Sequence, residues 1–139
     1  MRVKMLVVFT AAIVVLCAPL WAQSGDTAAT VLSVETQVCT GIDNRMPVGA
    51  GMTFNADVEQ VYLWCRVEGA QDTTEIRHVW HYEGKEMAIV PLPVKSSAWR
   101  TWSSKKILPG WTGNWEVKVV SADGGTLATV PFQVVPAEP

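Results

Sequence analysis

The chain has 139 residues, with 11 Lys and Arg against 13 Asp and Glu and a formal net charge of -2. A mildly acidic chain lacks the basic field that draws nucleic acids and anionic membrane surfaces, so neither is an expected partner. The length suits one domain with its own core rather than several.

Met1-Arg2-Val3-Lys4 is a short basic start, and Met5 to Leu16 is apolar apart from Thr10. Cys17-Ala18-Pro19-Leu20-Trp21-Ala22 then leads into polar Gln23-Ser24-Gly25-Asp26. A charged start, an apolar stretch and a small residue before a polar one describe a secretory signal peptide over residues 1–22. The apolar stretch falls short of the roughly 20 residues that span a bilayer. Two other readings keep the chain on a membrane: an uncleaved anchor, or acylation at Cys17, although Leu16 is larger than a lipoprotein cleavage site favours. Otherwise the expectation is a periplasmic or secreted protein. Cleavage removes Arg2 and Lys4, which takes the net charge from -2 to -4.

Residues 23–28 are small and polar and read as a flexible lead-in. From residue 29 to 136 the apolar residues recur at period two, the signature of strands. Thr30 to Thr40 is the first expected strand. Gly41 to Pro47 reads as an irregular connection, and Met52 to Phe54 as a brief strand. In Val58 to Glu68, Val61, Leu63, Cys65 and Val67 share the face expected to enter the core, while Tyr62, Trp64 and Arg66 share the other. Thr74 to Tyr82 and Glu86 to Val94 are expected to form a hairpin with a three-residue bulged turn over Glu83-Gly84-Lys85. Pro91 and Pro93 cannot donate to a ladder, so the second arm should lie at an edge or end early. Ala98 to Ser104 is the next strand. Asn114 to Ser121 and Thr126 to Val135 form a second hairpin across Ala122-Asp123-Gly124-Gly125, whose glycines accept positive φ. About seven strands at regular spacing predict an all-β domain, an antiparallel immunoglobulin-like β-sandwich, with a small barrel as the other possibility.

Cys39 and Cys65 are the cysteines left after cleavage. An even count in an exported protein favours a disulfide, worth about 3 kcal/mol for the loop it would close. The other reading is two separate buried thiols, which pack as small apolar groups.

Six tryptophans follow the leader: Trp64, Trp80, Trp99, Trp102, Trp111 and Trp115. Trp115 shares parity with Val117 and Val119 and should be buried. Trp99 and Trp102 stand three apart on one strand and so point to opposite faces. Arg100, Trp102 and Ser104 share the expected outer face, because a buried arginine needs a partner. An outward row of Arg, Trp and Ser suits a sugar or planar ligand, or a structural cation–π contact. His78 and His81 form H-x-x-H, which on a strand splits the rings between faces, and no further ligands lie at diagnostic spacing, so no metal is expected. His78 shares parity with Ile76, Trp80 and Tyr82. No G-x-S-x-G, H-E-x-x-H or glycine-rich phosphate loop is present, so no catalytic residue and no cofactor is assigned.

Taken in order, NRMPVGAG followed by TF, HVWHYEGKE, WRTWSSKKI, and GNWEVKVVSADGGTL followed by FQVV resemble the bacterial domain of unknown function 2914, from about Cys39 to Val135. The resemblance implies an exported or membrane-associated β domain and brings no catalytic residues. It adds Arg45, His78, Trp80, Arg100, Trp102, Ser104 and Lys105 as candidate binding positions. The functional expectation is a non-enzymatic binding or interaction module of the bacterial envelope. Its surface would lie on the 76–82 and 98–104 strands, facing a glycan or another envelope protein. A purely structural or assembly domain is the second reading, and a hydrolase or metal-binding protein the third.

Overall fold

The computed structural model describes residues 32–137, so the expected signal peptide over 1–22, the lead-in over 23–28 and the alternatives at Cys17 lie outside the described residues. Ten strands fill the described chain: β1 (Ser33–Cys39), β2 (Gly41–Asp43), β3 (Met46–Val48), β4 (Thr53–Asn55), β5 (Gln60–Glu68), β6 (Thr74–Tyr82), β7 (Lys85–Val94), β8 (Ala98–Lys106), β9 (Gly113–Ser121) and β10 (Thr126–Val135). One sheet has the order β1-β5-β8 and the other β4-β10-β9-β6-β7, with β2 and β3 as a separate pair. The seven long strands and their division between two sheets give the immunoglobulin-like sandwich that the period-two pattern predicts.

The pattern also sets the faces. Val61, Leu63, Cys65 and Val67 of β5 meet Ile76, Trp80, Val117, Val119, Phe132 and Val134 from the second sheet, and all are buried. At one end, the Trp115 ring stacks on Phe132 with centroids 5.8 Å apart and lies 4.7 Å from Tyr82. The Tyr82 hydroxyl donates to the Thr112 carbonyl at 2.6 Å, and Trp115 Nε1 donates to the Trp111 carbonyl at 3.1 Å. Both polar tips are thereby satisfied as the rings enter the core.

Four details depart from the sequence expectation. Residues 41–48 form a hairpin, with Asp43 opposite Met46 and positive φ at Asn44 (50°) and Arg45 (61°), the two-residue turn that follows strand twist. The 82–85 connection is likewise a two-residue turn, with φ of 48° at Glu83 and 80° at Gly84. Its expected bulge sits instead inside the ladder, where Trp80 pairs with Ala88 and His81 with Glu86, leaving Met87 over. Finally, β4 pairs in parallel with β10, so the second sheet is mixed rather than wholly antiparallel. The chain thus leaves the first sheet after β1, makes the β2–β3 hairpin, and enters the second sheet at β4. The prolines behave as expected: β7, with Pro91 and Pro93, is an edge strand.

The expected disulfide is absent. Cys39 and Cys65 are both free and buried. In the β1–β5 register Cys65 stands opposite Thr36 and Cys39 opposite Tyr62. Three positions along a strand is about 10 Å, beyond the roughly 7 Å a bridge allows, and an odd offset puts the thiols on opposite faces. Cys65 points into the sandwich. Cys39 points outward, where the β2–β3 hairpin covers it.

Candidate functional site

The outer face of the β1-β5-β8 sheet is built by alternation. Arg100, Trp102 and Ser104 of β8 stand opposite Arg66, Trp64 and Tyr62 of β5. Trp64 is 2% exposed although it points away from the sandwich core, because the β2–β3 hairpin folds over it. Its indole Nε1 donates to the Arg45 carbonyl at 2.9 Å, which fixes the hairpin tip above the sheet. Trp102 is half-buried, while Arg45 and Arg100 are exposed. A cleft of about 400 Å³ is lined by Arg45, Ser96, Trp99, Arg100 and Trp102, with Pro93 of β7 at its side.

The charges here are unevenly matched. Arg66 pairs with Glu68 at 2.9 Å. Among the described residues, neither Arg45 nor Arg100 has a carboxylate within 4.0 Å. The contact made by Arg100 Nη1 is to the Met46 thioether sulfur at 3.3 Å, a weak acceptor. The salt bridges to Glu75 or Asp57 that would mark these arginines as internal struts are not formed; Glu75 pairs with Arg77 at 3.3 Å. Ser104 accepts from Gln60 Nε2 at 2.7 Å on the same outer face. Lys105 lies on the other face, its Nζ 5.1 Å from the centroid of the Trp111 ring.

His78 and Trp80 belong elsewhere. Both are fully buried between the sheets, so the expected recognition surface does not extend to them. The shared parity with Ile76 that suggested a partly buried histidine carries both rings inward. There they meet β8 from the opposite sheet. Trp80 Nε1 donates to Ser103 Oγ at 3.1 Å, Ser103 Oγ lies 2.6 Å from His78 Nδ1, and His78 Nε2 lies 3.4 Å from Cys65 Sγ. One proton assignment satisfies the chain of contacts: the Ser103 hydroxyl donates to Nδ1, and Nε2–H donates to the thiol sulfur. Burial holds His78 down at about 4 and pushes Cys65 up to about 12, so both stay neutral at pH 7. A serine within reach of a histidine resembles the start of a nucleophilic pair, but a nucleophile must also meet a substrate. Ser103 is 6% exposed and His78 0%, sealed beneath aromatic and aliphatic side chains. The group acts as a polar rivet between the sheets. Alternation alone could not reveal it, because pairing across the sandwich leaves no trace in spacing.

His81, on the opposite face from His78, lines a groove of about 600 Å³ with Asn114, Glu116, Lys118, Pro131 and Gln133. Its Nδ1 is buried without a hydrogen-bond partner. Among the described residues no three His, Cys, Asp or Glu side chains converge to hold a metal ion.

Residues 73–134, from the start of β6 nearly to the end of β10, match the profile of a protein family of unknown function, DUF2914. This stretch belongs to the DUF2914 family. A search of curated protein sequences gave no match. The DUF2914 match contains Arg100, Trp102, Ser104 and Lys105 as well as the buried His78 and Trp80. It begins later than the resemblance from Cys39 implied, leaving Arg45, the β2–β3 hairpin and both cysteines outside it. The candidate face therefore combines a strand within the DUF2914 match with a hairpin that precedes it.

Proposed function

We propose that this chain is an exported envelope protein that binds a partner rather than transforming one. Its recognition surface is the outer face of the β1-β5-β8 sheet, and the partner is a glycan or another envelope protein met in the periplasm or outside the cell. The observation that carries this reading is the half-buried Trp102 indole beside two exposed guanidinium groups, Arg45 and Arg100, that have no carboxylate partner among the described residues. Aromatic and arginine side chains are enriched where proteins meet partners. A structural or assembly role alone would leave these groups unexplained, and the sealed His78–Ser103 contact gives a hydrolytic reading no route to substrate.

The test is tryptophan fluorescence of residues 23–139 titrated with cell-wall glycans and envelope polysaccharides, alongside Trp102→Ala. A saturable change in the parent that disappears in the variant is the expected result. A flat response to all of them, with no envelope protein cross-linked through this face, overturns the reading.

A further inference from the structure

We infer that the cleft beneath the β2–β3 turn takes an anionic saccharide, a sugar ring bearing a carboxylate or phosphate, held by Arg45 and Arg100 with the ring against Trp102. The inference rests on the reading of this face as a recognition surface and adds the chemistry of what it recognises.

Three observations converge on the cleft. Among the described residues, the charged ones lining it are Arg45 and Arg100. Each guanidinium offers five N–H donors in a fixed fork that matches a planar oxyanion, and at Arg100 the recorded side-chain contact is a thioether sulfur. Secondly, Arg100 stands directly opposite Arg66 in the β5–β8 register. Like charges at facing positions oppose sheet formation, and the Glu68 carboxylate at 2.9 Å relieves Arg66 rather than Arg100. Thirdly, Arg45 holds φ at 61°, a region costly to a residue with a Cβ and suited to glycine or asparagine. The turn thus carries an unfavourable residue where its side chain reaches the same cleft as Arg100. One anion held by the two guanidinium groups would relieve the charge cost at Arg100, and would give the strained turn at Arg45 a role in recognition.

The rest of the lining argues for a sugar ring. Trp102 supplies flat apolar surface on the face of Arg100, and Trp99 borders the cleft from the other face of β8. The Ser96 hydroxyl, which donates to the Ala98 carbonyl at 2.8 Å, remains an acceptor at the rim. At the neighbouring β7 edge an acidic peptide cannot add as a continuous strand, because Pro91 and Pro93 lack donors. The β8 edge is unpaired and free of proline, so the polyglutamate probe tests strand addition there.

The experiment titrates the purified chain with four probes: a galacturonate trisaccharide, a hexose phosphate, a neutral trisaccharide and a short polyglutamate peptide. Binding is followed by calorimetry and indole fluorescence in the parent, Arg100→Ala and Arg100→Lys. The expected result is saturable binding of the uronate, the phosphate or both, weakened about tenfold or more in Arg100→Ala and partly kept in Arg100→Lys. Which of the two binds identifies the source of the anion. Binding should weaken with added salt. Arg100→Lys should keep the parent's thermal unfolding midpoint, and Arg100→Ala, which removes the like charge facing Arg66, should not fall below it. Equal binding of the neutral trisaccharide overturns the anion while leaving the recognition surface intact. Binding of polyglutamate alone overturns the sugar. No binding of any probe, or binding unchanged in Arg100→Ala, overturns the inference. If Trp102→Ala is also without effect on every envelope glycan and partner, the broader reading falls with it.

Discussion

At the scale of single residues, His78 couples stability to pH. Its folded value is about 4 against an ordinary 6.5, because burial disfavours the charged ring. The unfolded chain therefore takes up the proton first as pH falls. The contribution is fully present above about pH 6.5 and drains away as pH drops towards 4, amounting to about 3 kcal/mol at the acid end. Urea unfolding between pH 7 and 4 should show this loss, and His78→Gln, which keeps hydrogen-bonding groups but does not titrate, should flatten the excess slope. Ser103→Ala is expected to cost about 1–3 kcal/mol at pH 7, because Trp80 Nε1 and one His78 nitrogen would lose their partner in the core. The same denaturation curves measure it. Parity gives the outward direction of Arg100 and Trp102. It puts His78 and Trp80 on one face with Ile76 but does not say that this face is the inner one, so the expected recognition surface took them in. It gives no information on Ser103 as their partner, since a strand's period fixes which face a side chain takes and leaves open what the opposing sheet brings to it.

Among the elements, the β2–β3 hairpin is the one that local sequence hides. Each arm is three residues long, too short for a period to register, and its turn places Arg45 where glycine is the usual residue. Arg45→Gly should therefore stabilise the domain modestly, by about 0.5–1 kcal/mol, while weakening binding of the anionic probes. A rise in thermal midpoint with a fall in affinity would separate the turn's structural requirement from its role in recognition. The β6–β7 turn has the opposite sensitivity. The Glu83 carboxylate accepts from the Asn114 amide at 2.7 Å, and Glu83 N–H donates to the Asn114 carbonyl at 2.8 Å, clamping the turn to the start of β9. Gly113 beside it holds φ at 128°, and a Cβ there would collide with the Glu83 carboxylate. Gly113→Ala should lower the unfolding midpoint and release this turn to faster amide exchange. The long strands, by contrast, are legible to within a few residues, because each spans several repeats of the alternation and ends at proline, glycine or a charged turn.

Across the whole molecule, the order of strands follows from topology rather than from any one segment. Alternation shows that β1 and β5 each bury one face; it does not show that their ladder sets Cys65 against Thr36 and leaves Cys39 under the hairpin. Counting cysteines favoured a bridge for that reason, and register excludes it. Cys39 and Cys65 should both label as free thiols when the protein is denatured in the presence of a labelling reagent. Cys39 should react first under native conditions, since lifting the hairpin uncovers it, whereas Cys65 waits for the sheets to separate. These two sulfur atoms also set a hazard for the nascent chain. In an oxidising compartment, a bond between them can form only before β1 and β5 have paired, and once formed it forbids that pairing. Maturation then becomes a race between zippering and oxidation. Refolding with an added oxidant should lower the native yield, and Cys39→Ser should restore it.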